Sequence, residues 1–128
     1  MSRTTLNKHL PPKTHDVFRV TQLTKGTPYE KRIGADLVFV PPHSVSEIHR
    51  HQYPYTILFG IKGFGTILVG RRKRRVILRR GERFCFGKAI FHGVCTGKEG
   101  FIFLSIQSPP IKFGNILDLE PLKPRKVQ

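Results

Sequence analysis

The chain has 128 residues, with 23 lysines and arginines against 8 aspartates and glutamates, which gives a formal net charge of +15. This length suits a single domain with its own core, and the charge favours polyanions or acidic small molecules as partners. No apolar run approaches the roughly 20 residues of a membrane helix, and the first residues lack the apolar stretch of a signal peptide. We therefore expect a soluble cytoplasmic protein, in which Cys85 and Cys95 are buried, reduced thiols and not part of a disulfide framework.

The N-terminal third contains two predicted strands after a polar arm. Residues 1–15 are polar and interrupted by two prolines, and we interpret them as a flexible arm. Residues 16–23 are rich in β-forming side chains and predict a strand, which a loop around Gly26 and Pro28 follows. A short apolar segment at 35–40 predicts the next strand, and the two prolines directly after it end that strand.

From residue 46 onward, short β-forming segments alternate with glycine or proline at close intervals. These segments predict strands at 46–52, 55–61, 64–69, 76–78, 84–86, 90–94, 101–107 and 111–117. No segment keeps a helical period over three turns. The pattern predicts an all-β sandwich or barrel at 16–118, followed by a basic tail at 119–128.

Three of the six histidines have the spacing of a single metal site. His49 and His51 lie two residues apart on a predicted strand, so their side chains project from the same face, with Glu47 next in line. His92 would have to come from a distant strand. Taken alone, such a histidine pair is as often a surface or packing pair as a ligand pair.

The segments around these histidines resemble the two sequence motifs of the cupin family. The first motif is Gly, five residues, His-x-His, three or four residues, Glu, six residues, Gly; His49 and His51 match it, and the closing glycine falls on Gly63. The second motif is Gly, five residues, Pro-x-Gly, two residues, His, three residues, Asn; Gly81 and His92 match it in register. The resemblance implies a small single-domain cupin with a double-stranded β-helix, the jelly-roll barrel.

This resemblance extends over about residues 35–111 and departs from the family pattern in four places. His43 stands in place of the opening glycine, and Tyr55 or Thr56 stands in place of the glutamate. Gly87 and Ala89 replace the Pro–Gly pair, and Thr96 replaces the final asparagine. The glutamate is usually a fourth metal ligand in the family. Its loss leaves a set of three histidines, similar to thiol-dioxygenase-type members, which suits a divalent transition metal such as Fe, Zn, Ni, Mn or Cu.

Three further residues near the histidines are candidates for proton transfer or substrate binding. Glu47 could be a replacement ligand, an acceptor for an imidazole N–H, or a general base. Tyr53 and Tyr55 would project from the same face as Glu47 if the strand continues past Pro54, and either could hydrogen-bond a substrate. All three are equally consistent with surface or barrel-mouth positions, and His15, within the arm, is assigned no role.

The segment Arg71–Arg80 carries seven basic residues and predicts a hairpin away from the metal site. It could contact the phosphates of a nucleic acid, together with residues 123–126 of the tail, or it could be a solvated hairpin of a basic protein. The run contains no aromatic residue for base stacking, which disfavours sequence-specific binding of a single strand. The residues of this possible polyanion patch are Arg71, Arg72, Lys73, Arg74 and Arg75.

The resemblance implies a metal-dependent oxidoreductase of dioxygenase type that acts on a small organic acid or thiol, and also a homodimer. A neutral histidine set leaves the metal charge uncompensated and coordination positions open, which favours an anionic ligand. Two other functions remain open, a polyanion-binding protein and a non-enzymatic module that holds a small ligand. The module's cavity would be lined by Phe59, Phe84, Phe86 and Phe103.

Overall fold

The computed structural model describes residues 3, 5–111 and 119–122, and these residues are almost entirely β. The elements are a helical turn, α1 (Leu6–His9), and the strands β1 (Lys13–His15), β2 (Phe18–Gln22), β3 (Gly34–Val40), β4 (His49–His51), β5 (Tyr55–Val69), β6 (Arg74–Arg79), β7 (Arg83–Phe86), β8 (His92–Cys95), β9 (Phe101–Ser108) and β10 (Leu119–Pro121). Most of the predicted strand at 111–117 lies outside the described residues, and so does the tail from 123 onward. In the part of the chain that the structure describes, no helix has the length and apolar character needed to span a membrane.

All pairs between the described strands are antiparallel, and the long strand β5 takes part in two sheets. Its first half pairs with β9 and β7, and its second half pairs with β8 and β6. One sheet has the order β1-β2-β3-β9-β5-β7 and the other has the order β10-β4-β8-β5-β6. The curled antiparallel arrangement confirms the predicted all-β jelly roll.

Strand β5 corrects one sequence prediction. The sequence predicts separate strands at 55–61 and 64–69, but the chain continues through this region without a reversal. The register against β9 shifts at a bulge between Gly60 and Lys62, and Gly63 has a φ of +72°. Bulges bend a strand and increase its twist, so a single strand can pass from one sheet into the other.

The predicted strand at 46–52 is also shorter than expected, because only His49–His51 pairs as a strand. The residues before it are held by other bonds. Ser46 donates its N–H to the carbonyl of Val94 at 2.9 Å, and its hydroxyl accepts the N–H of Val94 at 2.8 Å. Glu47 therefore lies outside the strand, and the two-residue alternation does not extend to it.

The core lies between the two sheets and follows the alternation of the strands. Inward positions of β3 and β9 are buried in turn, whereas outward positions are partly or fully exposed. Cys85 is exposed and Cys95 is half-buried, so the expectation of two buried thiols is wrong for Cys85. The buried apolar side chains are Phe18, Val20, Val38, Val40, Leu58, Ile67, Leu78, Val94, Phe101 and Phe103.

Three departures from the cupin motifs keep the backbone features that the motifs need. His43 and Ala89 stand in place of glycines, and both adopt the left-handed conformation that glycine favours, with φ of 55° and 54°. Thr96 stands in place of the asparagine. Its hydroxyl accepts the N–H of Ser44 at 3.0 Å and donates to the carbonyl of Pro41 at 2.5 Å, so it joins the two motif segments.

Part of the predicted arm belongs to the first sheet. Lys13–His15 pairs with β2, with Lys13 opposite Val20 and His15 opposite Phe18. This pairing gives the end of the arm a fixed place beside the barrel. The flexibility of the arm and the domain boundaries stay predictions.

Gly63→Ala is expected to lower the free energy of unfolding by at least about 2 kcal/mol, because an L residue is strained at positive φ. An added Cβ would also collide with the backbone carbonyl of Gly100. Gly97→Ala is the matched control, since a Cβ there meets no atom within 4 Å. Urea unfolding of both variants measures the difference, and equal stabilities would contradict the role given to Gly63.

Candidate metal centre

Strand pairing brings the three predicted histidines together. His49 lies directly opposite His92 in the antiparallel pair of β4 and β8, and opposite residues of a pair have neighbouring side chains. His51 follows two residues later on the same face of β4. The arrangement predicted from spacing alone is therefore produced by two short strands that are 40 residues apart in the chain.

Strand β4 is held on its other side by β10, where Glu120 pairs with Arg50. One carboxylate oxygen of Glu120 accepts from Arg50 at 2.8 and 3.0 Å, and from Gln52 at 2.8 Å. The guanidinium of Arg50 also lies 4.7 Å from the centroid of the Phe91 ring. These contacts fix the residue between His49 and His51, and so they fix the direction of both imidazoles.

The three imidazoles form a compact cluster. Their ring centroids are 4.8 Å apart for His49 and His51, 4.7 Å for His49 and His92, and 5.4 Å for His51 and His92. One nitrogen from each ring lies within 4.8 Å of the others, a set that can hold a metal ion. In a tetrahedral site with bonds of about 2.0–2.1 Å, the ligand nitrogens are roughly 3.4 Å apart, so the imidazoles would have to move closer together to bind one ion.

Backbone carbonyls orient two of the rings. The Nδ1 atom of His92 lies 2.8 Å from the carbonyl of Ile90, and Nδ1 of His49 lies 3.3 Å from the carbonyl of Glu47. A carbonyl only accepts, so each Nδ1 carries the proton and Nε2 carries the lone pair. Metal-binding histidines in proteins have this kind of support, and here the backbone of Glu47 supplies it in place of its carboxylate.

Burial keeps the imidazoles of His49 and His92 neutral. His49 and His51 are only 7% and 6% exposed, and desolvation lowers the pKa of His49 below its usual value. Desolvation, with a smaller effect from the charge of His49, lowers the pKa of His92 to about 3. Neutral imidazoles have a lone pair for a metal at physiological pH, so the residues present fit a divalent transition metal.

The histidines face a cavity of about 70 Å³ between the two sheets. A water molecule needs roughly 10–15 Å³ on this measure, so the cavity holds only a small ligand or the reacting end of a larger one. The wall facing the histidines comes from the other sheet and combines polar and apolar side chains. This wall includes Asp36, Val38, Thr56, Leu58, Phe103, Ser105 and Gln107.

The polar part of this wall is a hydrogen-bonded cluster that the sequence analysis did not identify. The amide nitrogen of Gln107 donates to Asp36 at 2.9 Å and to the hydroxyl of Ser105 at 2.5 Å. Burial raises the pKa of Asp36 to about 6, although the bond from Gln107 acts in the opposite direction. The sequence signal for this cluster is that Asp36 lies two residues before Val38 and four before Val40, on the same buried face of β3.

The remaining predicted site residues lie outside the cavity wall. Glu47 is exposed and precedes β4, and Tyr53 is exposed as well. Of the two positions allowed for the motif glutamate, Thr56 is 4% exposed and lines the cavity, whereas Tyr55 is 61% exposed and contacts Lys88. The structure therefore brings none of the predicted proton-transfer residues to the histidines, and their catalytic roles stay predictions.

The cavity contains one unexpected histidine and two of the four predicted phenylalanines. His15, at the end of β1, lines the cavity although the sequence analysis assigned it no role. Phe86 and Phe103 also line it, and the Phe86 ring lies 4.5 Å from that of His92. Phe84 packs against the core outside the cavity lining. Phe59 projects from the opposite face of β5 to Leu58, so its predicted place in the cavity is wrong.

The basic run forms a turn and the strand β6, and none of its residues lines the cavity. The guanidinium of Arg71 lies 4.7 Å from the centroid of Phe91, and Arg79 lies 4.0 Å from Glu82. Among the described strands β6 pairs only with β5, and charged side chains on an edge strand discourage pairing with other chains. The polyanion patch stays a prediction, and its five residues are all exposed: Arg71, Arg72, Lys73, Arg74 and Arg75.

No protein-family model and no curated protein matches the sequence, but solved cupin structures share the fold. Oxalate decarboxylase from Lactobacillus farciminis, in a formate complex, has a TM-score of 0.72 at 21% identity, over 88% of this chain and 33% of that one. A cupin 2 conserved barrel domain protein from Salinispora arenicola has a TM-score of 0.68 at 16% identity, over 84% of this chain and 87% of that one. A cupin-superfamily sugar phosphate isomerase from Silicibacter pomeroyi has a TM-score of 0.62 at 15% identity, over 74% of this chain and 61% of that one.

These similarities show that the chain has the fold of a small cupin, as its motifs indicate. The chain spans 61% of the isomerase and 33% of the decarboxylase. It spans 87% of the cupin 2 protein. The structures with this fold include enzymes, and the three-histidine cluster of this chain can hold a metal ion.

Asp36→Asn is expected to remove a pH-dependent loss of stability. The pKa of Asp36 rises from 3.8 in the unfolded chain to about 6 in the folded chain, so the folded chain binds more protons between these values and its stability falls as pH rises through them. The variant should gain up to about 3 kcal/mol relative to the wild type between acid and neutral pH. Urea unfolding of both proteins across this range measures the gain, and a constant difference would contradict the burial of an ionisable Asp36.

Proposed function

We propose that this chain is a metal-dependent cupin enzyme that acts on a small organic acid or thiol. The observation that carries the proposal is the convergence of His49, His51 and His92 on one small cavity, with a nitrogen of each ring within 4.8 Å of the others. The fold supports it, since the similar structures include an oxalate decarboxylase in a formate complex. Formate is a carboxylate small enough for a cavity of about 70 Å³.

The donor set determines which metals are suitable. Three neutral imidazoles bind Fe, Zn, Ni, Mn or Cu as divalent ions and leave the ion's positive charge uncompensated, which favours an anionic ligand. A bound metal would supply Lewis acidity and open coordination positions, at which an acid or thiol and dioxygen could react as in a dioxygenase. The carbonyls of Glu47 and Ile90 hold two of the rings in the tautomer that binds a metal.

The wall opposite the histidines positions the ligand and provides one proton site. Phe86 and Phe103 line the cavity and make that side of it apolar. Asp36 has a pKa of about 6, so its carboxyl can take up or release a proton near neutral pH, as a general acid or base requires. Gln107 donates to Asp36 at 2.9 Å and so holds that carboxyl at the wall of the cavity.

A second candidate is a binding module without turnover. Thr56 occupies the cavity position of the motif glutamate, and a hydroxyl is a weaker base and a weaker ligand than a carboxylate. Glu47, Tyr53 and Tyr55 also lie outside the cavity wall. If Asp36 does not transfer protons, the cavity could hold a small acid on a metal without changing it.

His49→Ala combined with His92→Ala is expected to weaken metal binding by more than about 100-fold. Loss of a residue that only hydrogen-bonds a metal ligand already lowers metal affinity by about 10–100-fold, and this variant loses two ligands. Glu47→Gln is the matched control on the same segment. It should keep the metal affinity of the wild type, since the contact to His49 uses the backbone carbonyl of residue 47. Elemental analysis of protein prepared without a metal-affinity column measures bound metal. A metal-free wild type, or equal metal content in the histidine variant, would contradict the proposed centre.

Asp36→Asn is expected to lower turnover by about 100-fold or more while metal content stays unchanged, because general acid–base catalysis contributes about that much. Oxygen uptake and product formation with a panel of small carboxylic acids and thiols measure turnover in the metal-loaded protein. Thermal stabilisation by a panel member without any chemical change would identify the binding module instead.

A further inference from the structure

A second and much larger cavity adjoins the histidine cavity. Its volume is about 970 Å³, and we refer to it as the lysine groove because Lys13, Lys25 and Lys31 line it. The two cavities share a wall made of Asp36, Gln107 and Ile111, which line both. The two cavities are therefore adjacent, and a ligand that passes these three side chains would contact both.

The loop between β2 and β3 holds two of these lysines in defined positions. Thr27 turns the loop, since its N–H and hydroxyl both donate to the carbonyl of Thr24, at 3.1 and 2.7 Å. Glu30 accepts the backbone N–H of Gly26 at 2.9 Å. The only acid of this loop therefore bonds to the backbone. Its charge remains in the groove, but among the described residues it forms no ion pair with Lys25 or Lys31.

The lysines of the groove outnumber its acids, since Lys13, Lys25 and Lys31 line it together with Glu30 and Asp36. Within the described ranges, none of the three lysines takes part in an ion pair. Lys13 and Lys25 both line the groove, and the nearby Lys25 lowers the pKa of the Lys13 ammonium. Two ammonium groups have only donors and repel each other, and an anion between them would replace the repulsion with two attractive contacts.

The shared wall offers a polar contact that the protein leaves unused. Gln107 is only 1% exposed, and its carbonyl oxygen has no hydrogen-bond partner among the described residues. This oxygen lies against Gly34, a lining residue of the groove, where any Cβ would collide with it. A buried acceptor without a donor costs free energy, and a hydroxyl of a ligand that spans both cavities could supply the donor.

We infer that the lysine groove binds an oxyanion, phosphate or carboxylate, carried by the far end of the substrate. This inference rests on the proposed function and narrows its substrate class to small acids or thiols with a second anionic group. In this arrangement the reacting end of the substrate enters the histidine cavity, and the oxyanion lies between Lys13 and Lys25. Tyr53 also lines the groove and would lie beside the bound substrate.

Inorganic phosphate is the probe, titrated into the metal-loaded 128-residue chain at constant ionic strength and followed by NMR. Lys13→Gln combined with Lys25→Gln should weaken phosphate binding by about tenfold or more, since a hydrogen bond to a charged group contributes at least that much. Lys62→Gln combined with Lys98→Gln is the matched control. It removes the same charge from two exposed lysines elsewhere and should leave the affinity within about twofold, since exposed charges at a distance are screened.

Two outcomes would overturn the inference. Equal weakening by both lysine pairs would show that only net charge matters, and unaltered binding in the groove variant would place the phosphate elsewhere. Urea unfolding of both double variants checks that they are folded. Lys25→Gln alone, in an exposed loop, gives the same test with a single substitution.

The histidine variant separates this inference from the proposed function. His49→Ala combined with His92→Ala should lose the metal and keep the phosphate affinity of the groove. Loss of phosphate binding in this variant, with no loss in the lysine variant, would place the oxyanion on the metal and overturn the inference alone. A wild type that binds phosphate in the groove but no metal would overturn the proposed function alone.

Discussion

The pairing of β4 with β8 determines the geometry of the whole candidate centre. It sets His49 opposite His92, and the alternation of β4 then places His51 on the same face. The contact between these two strands is short, so it depends on its surroundings: β10 holds β4 from the other side, and Ala89 donates its N–H to the carbonyl of His51 at 3.0 Å. A change in any of these supports would alter the spacing of the imidazoles before it altered the fold.

The electrostatics of the cavity contrast with those of the molecule. The chain has a net charge of +15, yet burial keeps the imidazoles of His49 and His92 neutral, because it lowers the pKa of both. The same burial raises the pKa of Asp36 on the opposite wall. A metal on the histidines would thus be the strongest charge in a cavity where these two imidazoles are neutral and Asp36 ionises near pH 6, and the lysine groove beside it would extend a preference for anions.

Local patterns predicted the centre, and long-range contacts explain what they missed. Strand alternation and motif spacing depend on neighbouring residues, so they identified His49, His51 and His92. The bond between Asp36 and Gln107 joins residues 71 positions apart, and no local signal connects them. The prediction that Glu47 faces the same way as the histidines requires a strand at 46–52, which is longer than β4. Only the fold shows that Thr56 rather than Tyr55 faces the cavity. The homodimer and the cytoplasmic location stay predictions.

The most direct test of the account is a crystal structure of the metal-loaded chain with anomalous diffraction data at the absorption edge of the metal. We expect one anomalous peak in the cavity between the two sheets, at about 2.1 Å from a ring nitrogen of each of His49, His51 and His92. The account would be contradicted by a peak that is bound elsewhere on the chain, or by a cavity without a peak in protein that retains its metal.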